Sequence, residues 1–576
     1  MLYPQMNECR QITSLDGCWE LRFEHAGDDT HAWPAGFTPH KQVAVPSSFN
    51  DLYTTYAERN HWGHVWYQRT FYRPDAWMGQ RIVLRFAAAW YSAEVFVNGR
   101  KLGEHETGHT PFEFDVTDLL QGGANRVAVR LNTRLSPETV PQGEINMKDL
   151  PWQVVKNHPD GNFDFFPYAG LHQPVSLYCT SQTRLESLRV DTEDNGADAH
   201  VRFRLEMAGT PDHARVTIEE TGETVEGATD EVAADLSLLM RAPRRWDVGQ
   251  PNLYTARIEL LEQGRTVDLY RQTFGVRTVA IREGRLLLND RPIYLTGFGK
   301  HEDFAVIGRG LNEAVNIRDF ELMRWINANS FRTSHYPYAE ETLVLADRYG
   351  ILVISESPAV SIWTDQATPR TLATHCQATR EFMRRDYNHP SVIAWCMGNE
   401  CSTHQPSARP YFENVCATAR EIDAGRPLMR VTCMGTRDVC LDLVDVVGVN
   451  MYPGWYGGGK ELEEDTRWAE DFLRSMVEKA AGRPVMVTEF GADSIAGFHS
   501  LPAELWTEDY QRDLVDKVLD RIRAVPGVIG EHLWNFADFR TGQNHTRAWG
   551  NRKGIFTRDR QPKLVAHLLR ERWARP

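Results

Sequence analysis

The sequence predicts two antiparallel β-sandwiches, the second immunoglobulin-like, followed by a C-terminal (β/α)8 TIM barrel. Three observations carry that prediction. The first part of the chain alternates polar and apolar residues between dense turn residues, with few helical patterns. A more polar stretch of about 95 residues repeats the alternation in shorter strands. From about residue 276 the period changes, and apolar runs alternate with amphipathic helical segments. The expected domains are residues 1–180, 181–275 and 276–576.

In the first domain Val95, Phe96 and Val97 run into Asn98-Gly99, the strongest short hairpin signal. Arg126-Val127-Ala128-Val129-Arg130-Leu131 alternates as a half-buried strand does. In the second, Val201, Phe203 and Leu205, and later Tyr254, Ala256, Ile258 and Leu260, alternate with polar residues, while the acidic runs 191–199 and 219–232 read as solvated loops. The third carries eight strand-like runs: Ile293–Gly297, Ser330–Ser334, Ile351–Ser355, Val392–Met397, Leu428–Cys433, Val446–Asn450, Val485–Thr488 and Val528–Trp534. Leu322, Trp325 and Ile326 mark one intervening helix, and Gly350 suits the end of another. Eight such units over about 300 residues match the count and size of a (β/α)8 barrel.

Composition limits the function classes. The 576 residues are 42% hydrophobic and 25% charged, which excludes collagen-like, disordered and coiled-coil chains. A net charge of −14 argues against nucleic-acid and membrane-surface partners, which require a basic footprint. The nine cysteines include no CxxC pair, so zinc ribbons and dithiol motifs are out, and free thiols in a reducing compartment are expected. No signal-peptide pattern and no apolar stretch of about 18 residues occurs, so a cytoplasmic protein without a membrane span is expected. No metal-ligand cluster stands out, and no metal or cofactor is expected.

Barrel active sites lie at the C-terminal ends of the strands. The fourth run ends in Gly398-Asn399-Glu400 and the seventh in Thr488-Glu489-Phe490-Gly491. A glutamate closing a buried apolar strand is costly unless paired or used. Two of them across the barrel mouth suit retaining glycoside hydrolysis, in which one carboxyl protonates the leaving oxygen and the other attacks the anomeric carbon, at a separation of roughly 5–5.5 Å. The competing reading is that each is only paired with a neighbouring arginine.

Longer segments narrow the choice. Thr296 to Asp303 (TGFGKHED), Phe331 to Glu341 (FRTSHYPYAEE), Asn388-His389-Pro390-Ser391-Val392, and Trp534 to Phe539 (WNFADF) join the two glutamate segments. Asn551 to Asp559 (NRKGIFTRD) completes the set. Over nearly its whole length the chain resembles the β-glucuronidases of glycoside hydrolase family two. The resemblance implies a jelly-roll sandwich, an immunoglobulin-like sandwich and a catalytic barrel, with exo-acting, retaining hydrolysis of a small-molecule or oligosaccharide β-glucuronide. It implies Glu400 as acid/base, Glu489 as nucleophile, and Asn399 as the partner of the sugar's 2-hydroxyl. Burial and the charge of Glu489 should raise the Glu400 pKa. Tyr452 and an arginine such as Arg332 are the implied donors to Glu489.

Asn551 and Lys553 match the family's uronate-recognition motif, and Arg547 an arginine upstream of it. A cation with hydrogen-bond donors in a water-poor pocket is what a carboxylate requires. The resemblance further implies that Asp164 reaches sugar hydroxyls from the sandwich, that Asn450, Tyr452 and Tyr456 form the rim, and that Trp534 lies under the pyranose. His301 and His335 would bond hydroxyls or orient neighbours. The stretch from Ser357 to Trp363 enters a helix near Thr371, where bacterial members carry a longer loop, so a more open cleft accepting larger glucuronides is expected.

Other signals lead elsewhere. Gly454 to Lys460 fits seven positions of a phosphate-loop pattern, but Glu461 stands where the Mg²⁺-binding Ser or Thr belongs. Asn544-His545-Thr546 is a glycosylation sequon beside Arg547, where a glycan would obstruct the site. Alternatives are a β-galacturonidase or β-galactosidase of the same family, or a non-catalytic carbohydrate-binding relative. A galactosidase should lack Asn551 and Lys553, and a decayed enzyme should lack a catalytic carboxylate. Assembly as a homo-oligomer is expected.

Overall fold

The computed structural model describes residues 1–145, 161, 163–230, 232–457, 461–543 and 546–574. In the first sandwich a four-stranded sheet, ordered Gln11–Ser14, Val175–Thr180, Arg81–Phe86 and Phe112–Asp115, faces a six-stranded one. The six-stranded sheet contains the expected hairpin, Ser92–Val97 paired with Arg100–Glu106. Asn98 and Gly99 take φ values of 50° and 83°, the left-handed pair that a type I′ turn requires.

The second sandwich packs the strands Arg184–Asp194, Asp198–Ala208 and Ala233–Arg241 against four others around its own core. The first acidic run expected as a loop is mostly strand, and the second contains one strand between turns. Residues 191–194 pair with 199–202 across a short turn, and Thr224–Ala228 is an edge strand. Their charged side chains lie on the solvent face, so polarity marked the exposed face of a sheet rather than its absence.

The eight barrel strands are β1 (Leu295–Lys300), β2 (Ser330–Thr333), β3 (Leu352–Glu356), β4 (Val392–Asn399), β5 (Leu428–Thr432), β6 (Val446–Asn450), β7 (Val485–Glu489) and β8 (Val528–Leu533). All neighbours are parallel and the sheet closes β8 to β1. Near-continuous burial along these strands explains their apolar runs, since both faces are covered. The helices are α1 (Glu313–Trp325), α2 (Glu340–Tyr349), α3 (Pro369–Asp386), α4 (Ala408–Ile422), α5 (Leu462–Ala480), α6 (Glu508–Arg523) and α7 (Leu564–Trp573). The regular alternation fails once. Residues 433–445, between β5 and β6, form two 3-10 turns, Gly435–Arg437 and Leu441–Leu443, and no α-helix. Asp438 fastens this connection by accepting from Arg430 and from the Cys440 backbone, each at 2.8 Å.

The α3 helix begins at Pro369, with Thr368 as its cap. The segment before it is short and packed: Ser357, Ala359, Val360 and Ile362 are buried. The first sandwich and the barrel's outer shell share one hydrophobic cluster, so the sandwich is docked on the barrel. Among the described residues no helix is long and apolar enough to cross a membrane. All nine cysteines are free.

Candidate active site

A register irregularity ends β4 between Cys396 and Asn399, and Glu400 follows with φ of 52°. A non-glycine residue held in this region is strained unless its surroundings fix it. Here the Glu400 backbone N–H donates to the Val431 carbonyl of β5, at 3.0 Å. The Asn450 amide, at the end of β6, donates to Glu400 Oε1 at 2.8 Å and to Asn399 Oδ1 at 3.2 Å. Thr488 Oγ1 in turn donates to Asn450 Oδ1 at 2.7 Å, which orients that amide. Burial and then the charge of Glu489 raise the Glu400 pKa to about 7, as anticipated from the sequence.

Glu489 closes β7 and is buried. Tyr452 donates its hydroxyl to Oε2 and Arg332 its guanidinium to Oε1, both at 2.6 Å. Glu489 thus accepts from two side chains, one on each oxygen, whereas Glu400 accepts from the Asn450 amide. Tyr452 is held well above its ordinary pKa by burial and by Glu489, so it remains a donor.

Beside the carboxylates lies a charged pocket. Asp164, from the sandwich, accepts from Arg547 Nε at 2.8 Å and from the Asn551 amide at 2.9 Å. Arg547 also donates to the Tyr456 hydroxyl at 2.7 Å, and Lys553 Nζ reaches that same oxygen at 3.0 Å. Lys553 is fully buried and paired with Asp493. The Asn551 side-chain carbonyl accepts the Lys553 backbone N–H at 3.0 Å, which aims the Asn551 amide at Asp164. Burial opposes charge on Arg547, but Asp164 and Tyr456 outweigh it and hold the guanidinium above its ordinary pKa.

The aromatic wall combines Trp534, after β8, with His301, after β1. Trp534 stacks on His335 at 5.0 Å and meets His301 edge-on at 5.2 Å. Burial, and then the neighbouring His335 and Arg309, push His301 well below its ordinary pKa, so it is neutral. Its Nδ1 meets the Tyr336 hydroxyl at 3.1 Å, and its buried Nε2 has no hydrogen-bond partner among the described residues.

The structure therefore brings Glu400, Glu489, Asn399, Asn450 and Tyr452 into one hydrogen-bonded set, and Asp164, Tyr456, Arg547, Asn551 and Lys553 into a second. Trp534 and His301 form a wall built on His335. Sequence reasoning missed Asp493 and Glu356. Asp493 follows Glu489 by four residues and supplies the counter-charge that buried Lys553 requires. Glu356 ends β3, so the rule that found Glu400 and Glu489 applies to it equally. Of the phosphate-loop-like segment, residues 458–460 lie outside the described residues, as do Asn544 and His545 of the sequon.

Comparison with known proteins agrees along the whole chain. Residues 12–181 match the sugar-binding domain of glycosyl hydrolases family 2, residues 181–277 a second family 2 domain, and residues 279–575 its TIM barrel domain. A β-glucuronidase of Paenibacillus borealis is 41% identical, covering 100% of this chain and 98% of its own. The Homo sapiens β-glucuronidase is 37% identical over 100% of this chain and 92% of its own. A solved β-glucuronidase of Ruminococcus gnavus in complex with D-glucuronic acid superposes with a TM-score of 0.92 at 37% identity, covering 99% of each chain. The chain belongs to glycosyl hydrolases family 2.

Proposed function

We propose that this enzyme is a retaining, exo-acting β-glucuronidase, with Glu400 as acid/base and Glu489 as nucleophile. The carrying observation is that a carboxyl raised to about 7 and a doubly hydrogen-bonded carboxylate flank the same barrel mouth, beside a pocket of buried cations. In the first step a Glu489 oxygen attacks the anomeric carbon while Glu400 passes its proton to the departing glycosidic oxygen. Glu489 is then esterified and uncharged. The repulsion that raised the Glu400 pKa is gone, so Glu400 can take a proton from the incoming water, whose oxygen displaces Glu489. Asn450 favours the ionised form of Glu400 and so assists this second role.

The sugar's carboxylate belongs with Arg547, Asn551, Lys553 and Tyr456. Asp164 and Asp493 already balance the two cations, so selectivity rests on fixed donors rather than on excess charge. Asn399 has its carbonyl oxygen engaged by Asn450, which leaves its amide to donate to the 2-hydroxyl. Trp534 lies under the ring, and His301 and Asp164 flank the hydroxyls. The short, packed segment 357–368 leaves the cleft open to bulky aglycones. Residues 1–180, 181–275 and 276–576 act as docking sandwich, spacer and catalytic barrel. A cytoplasmic location accords with nine free thiols. Assembly as a homo-oligomer accords with exposed Phe498, Leu501 and Trp549, and light scattering tests it.

The decisive experiment is turnover of β-glucuronide, β-galacturonide and β-galactoside chromogens by wild type, Glu489→Ala and Lys553→Ala. Glu489→Ala should be inactive. Lys553→Ala should cost uronides about 2–4 kcal/mol of transition-state binding and neutral sugars far less. Equal losses on all three sugars overturn the uronate assignment.

A further inference from the structure

We propose that Glu356 is a positioning residue for the nucleophile: it anchors Arg332 and His335 and balances the arginine's charge through both halves of the reaction. The proposal rests on reading Glu489 as the nucleophile. Glu356 closes β3 and has no exposed surface. Its Oε2 accepts from Arg332 Nη1 at 2.6 Å, and its Oε1 pairs with His335 Nδ1 at 2.8 Å. Its backbone N–H donates to Thr333 Oγ1 at 2.9 Å, so the residue is fixed at both ends.

Arg332 is what makes this arrangement matter. The guanidinium has no exposed surface, and its buried Nε has no acceptor among the described residues. Its direction is therefore set at its far end, where Nη1 meets Glu356 and Nη2 meets Glu489, each at 2.6 Å. His335 is arranged in the same way: Nδ1 on Glu356 leaves Nε2 at 3.7 Å from Glu489 Oε1, with the ring stacked on Trp534. Without Glu356, Arg332 and His335 would lose the carboxylate that holds their sides away from the nucleophile, leaving Tyr452 as the donor to Glu489 that does not depend on it.

The charges give the second reason. When Glu489 becomes esterified, Arg332 loses one of its two counter-charges. A buried guanidinium left with none is heavily penalised. Glu356 supplies a constant partner, so the nucleophile's charge can vanish and return without stranding a cation. The charged and titratable groups around Glu356 are Arg332 and His335 on the β2 side, and the thiols of Cys396 and Cys401 on the β4 side. Burial first, then Glu356, holds the Cys396 thiol well above its ordinary pKa, so it stays neutral.

The test compares wild type, Glu356→Gln and Glu356→Asp on a chromogenic β-glucuronide across pH. In Glu356→Gln, kcat should fall about 100-fold with KM within about threefold. Its basic limb, set by Glu400, should move about one unit lower, because an unbalanced Arg332 favours the carboxylate at Glu400. Glu356→Asp keeps the charge but shortens the reach, so kcat should fall about tenfold with the limb in place. A residue needed only for folding would reduce the amount of active enzyme and leave the limb where it is. An unshifted limb in Glu356→Gln overturns the proposal. If that variant does not fold, wild-type kcat in Glu356→Asp overturns it, and the tenfold loss in folded protein upholds it. Turnover by Glu489→Ala would sink the nucleophile assignment itself, whatever the Glu356 variants do.

Discussion

At Glu400 two opposing influences meet on one carboxyl. Burial and Glu489 raise its pKa to about 7, while the Asn450 amide pulls it down. In its proposed role as the acid, Glu400 must be protonated for glycosylation, so activity is lost as pH rises through that value. Removing the amide in Asn450→Ala should raise the pKa further and move the basic limb of kcat/KM upward by about half a unit, read from a pH–rate profile. Glu489 accepts hydrogen bonds from two side chains, Tyr452 and Arg332, each at 2.6 Å. Tyr452→Phe deletes one of them and should lower kcat about 100-fold while leaving KM nearly unchanged, as measured by steady-state kinetics.

At the scale of elements, strand ends aim the chemistry and helix ends hold the strands in register. Gly350 ends α2 with φ of 66°, immediately before β3. A Cβ added there would meet the Gly249 backbone nitrogen at 2.8 Å, so both conformation and space oppose it. Gly350→Ala should destabilise by about 2 kcal/mol in urea unfolding. The Thr368 capping box that opens α3 offers a milder comparison, and Thr368→Ala should cost about 1 kcal/mol. Neither residue lies in the proposed site, so both variants should keep wild-type kcat when folded.

At the scale of the whole molecule, buried ion pairs fasten the first sandwich to the barrel. Arg85, on the sandwich strand Arg81–Phe86, donates to Glu340 at the start of α2 at 2.7 Å. Burial works against charge on Glu340, yet Arg85 and Arg385 hold its carboxyl below the usual range. Arg85→Ala would strand that carboxylate and should cost about 3–5 kcal/mol, whereas the double variant with Glu340→Gln should recover part of the loss in the same unfolding assay. The docking bears on the proposed function because Asp164 sits on the sandwich side and its partners Arg547 and Asn551 on the barrel side. A loosened interface should therefore raise KM for glucuronides before it lowers kcat.

The sequence by itself determined the order of the domains, the eight barrel strands and the two glutamates at strand ends, because hydrophobic period and strand termination are local properties of a chain. It misjudged the acidic strands of the second sandwich, where solvent-facing polarity masks the alternation, and the β5–β6 connection, where turns replace a helix. The roles proposed for Tyr452 and Lys553 were legible only through resemblance to other chains. What only the tertiary structure decided is pairing at a distance: Arg547 on Asp164, 383 residues away, Lys553 on Asp493, and Arg332 shared between Glu356 and Glu489. Such contacts depend on barrel closure and on where the sandwich docks, and no local pattern encodes which buried charge will meet which.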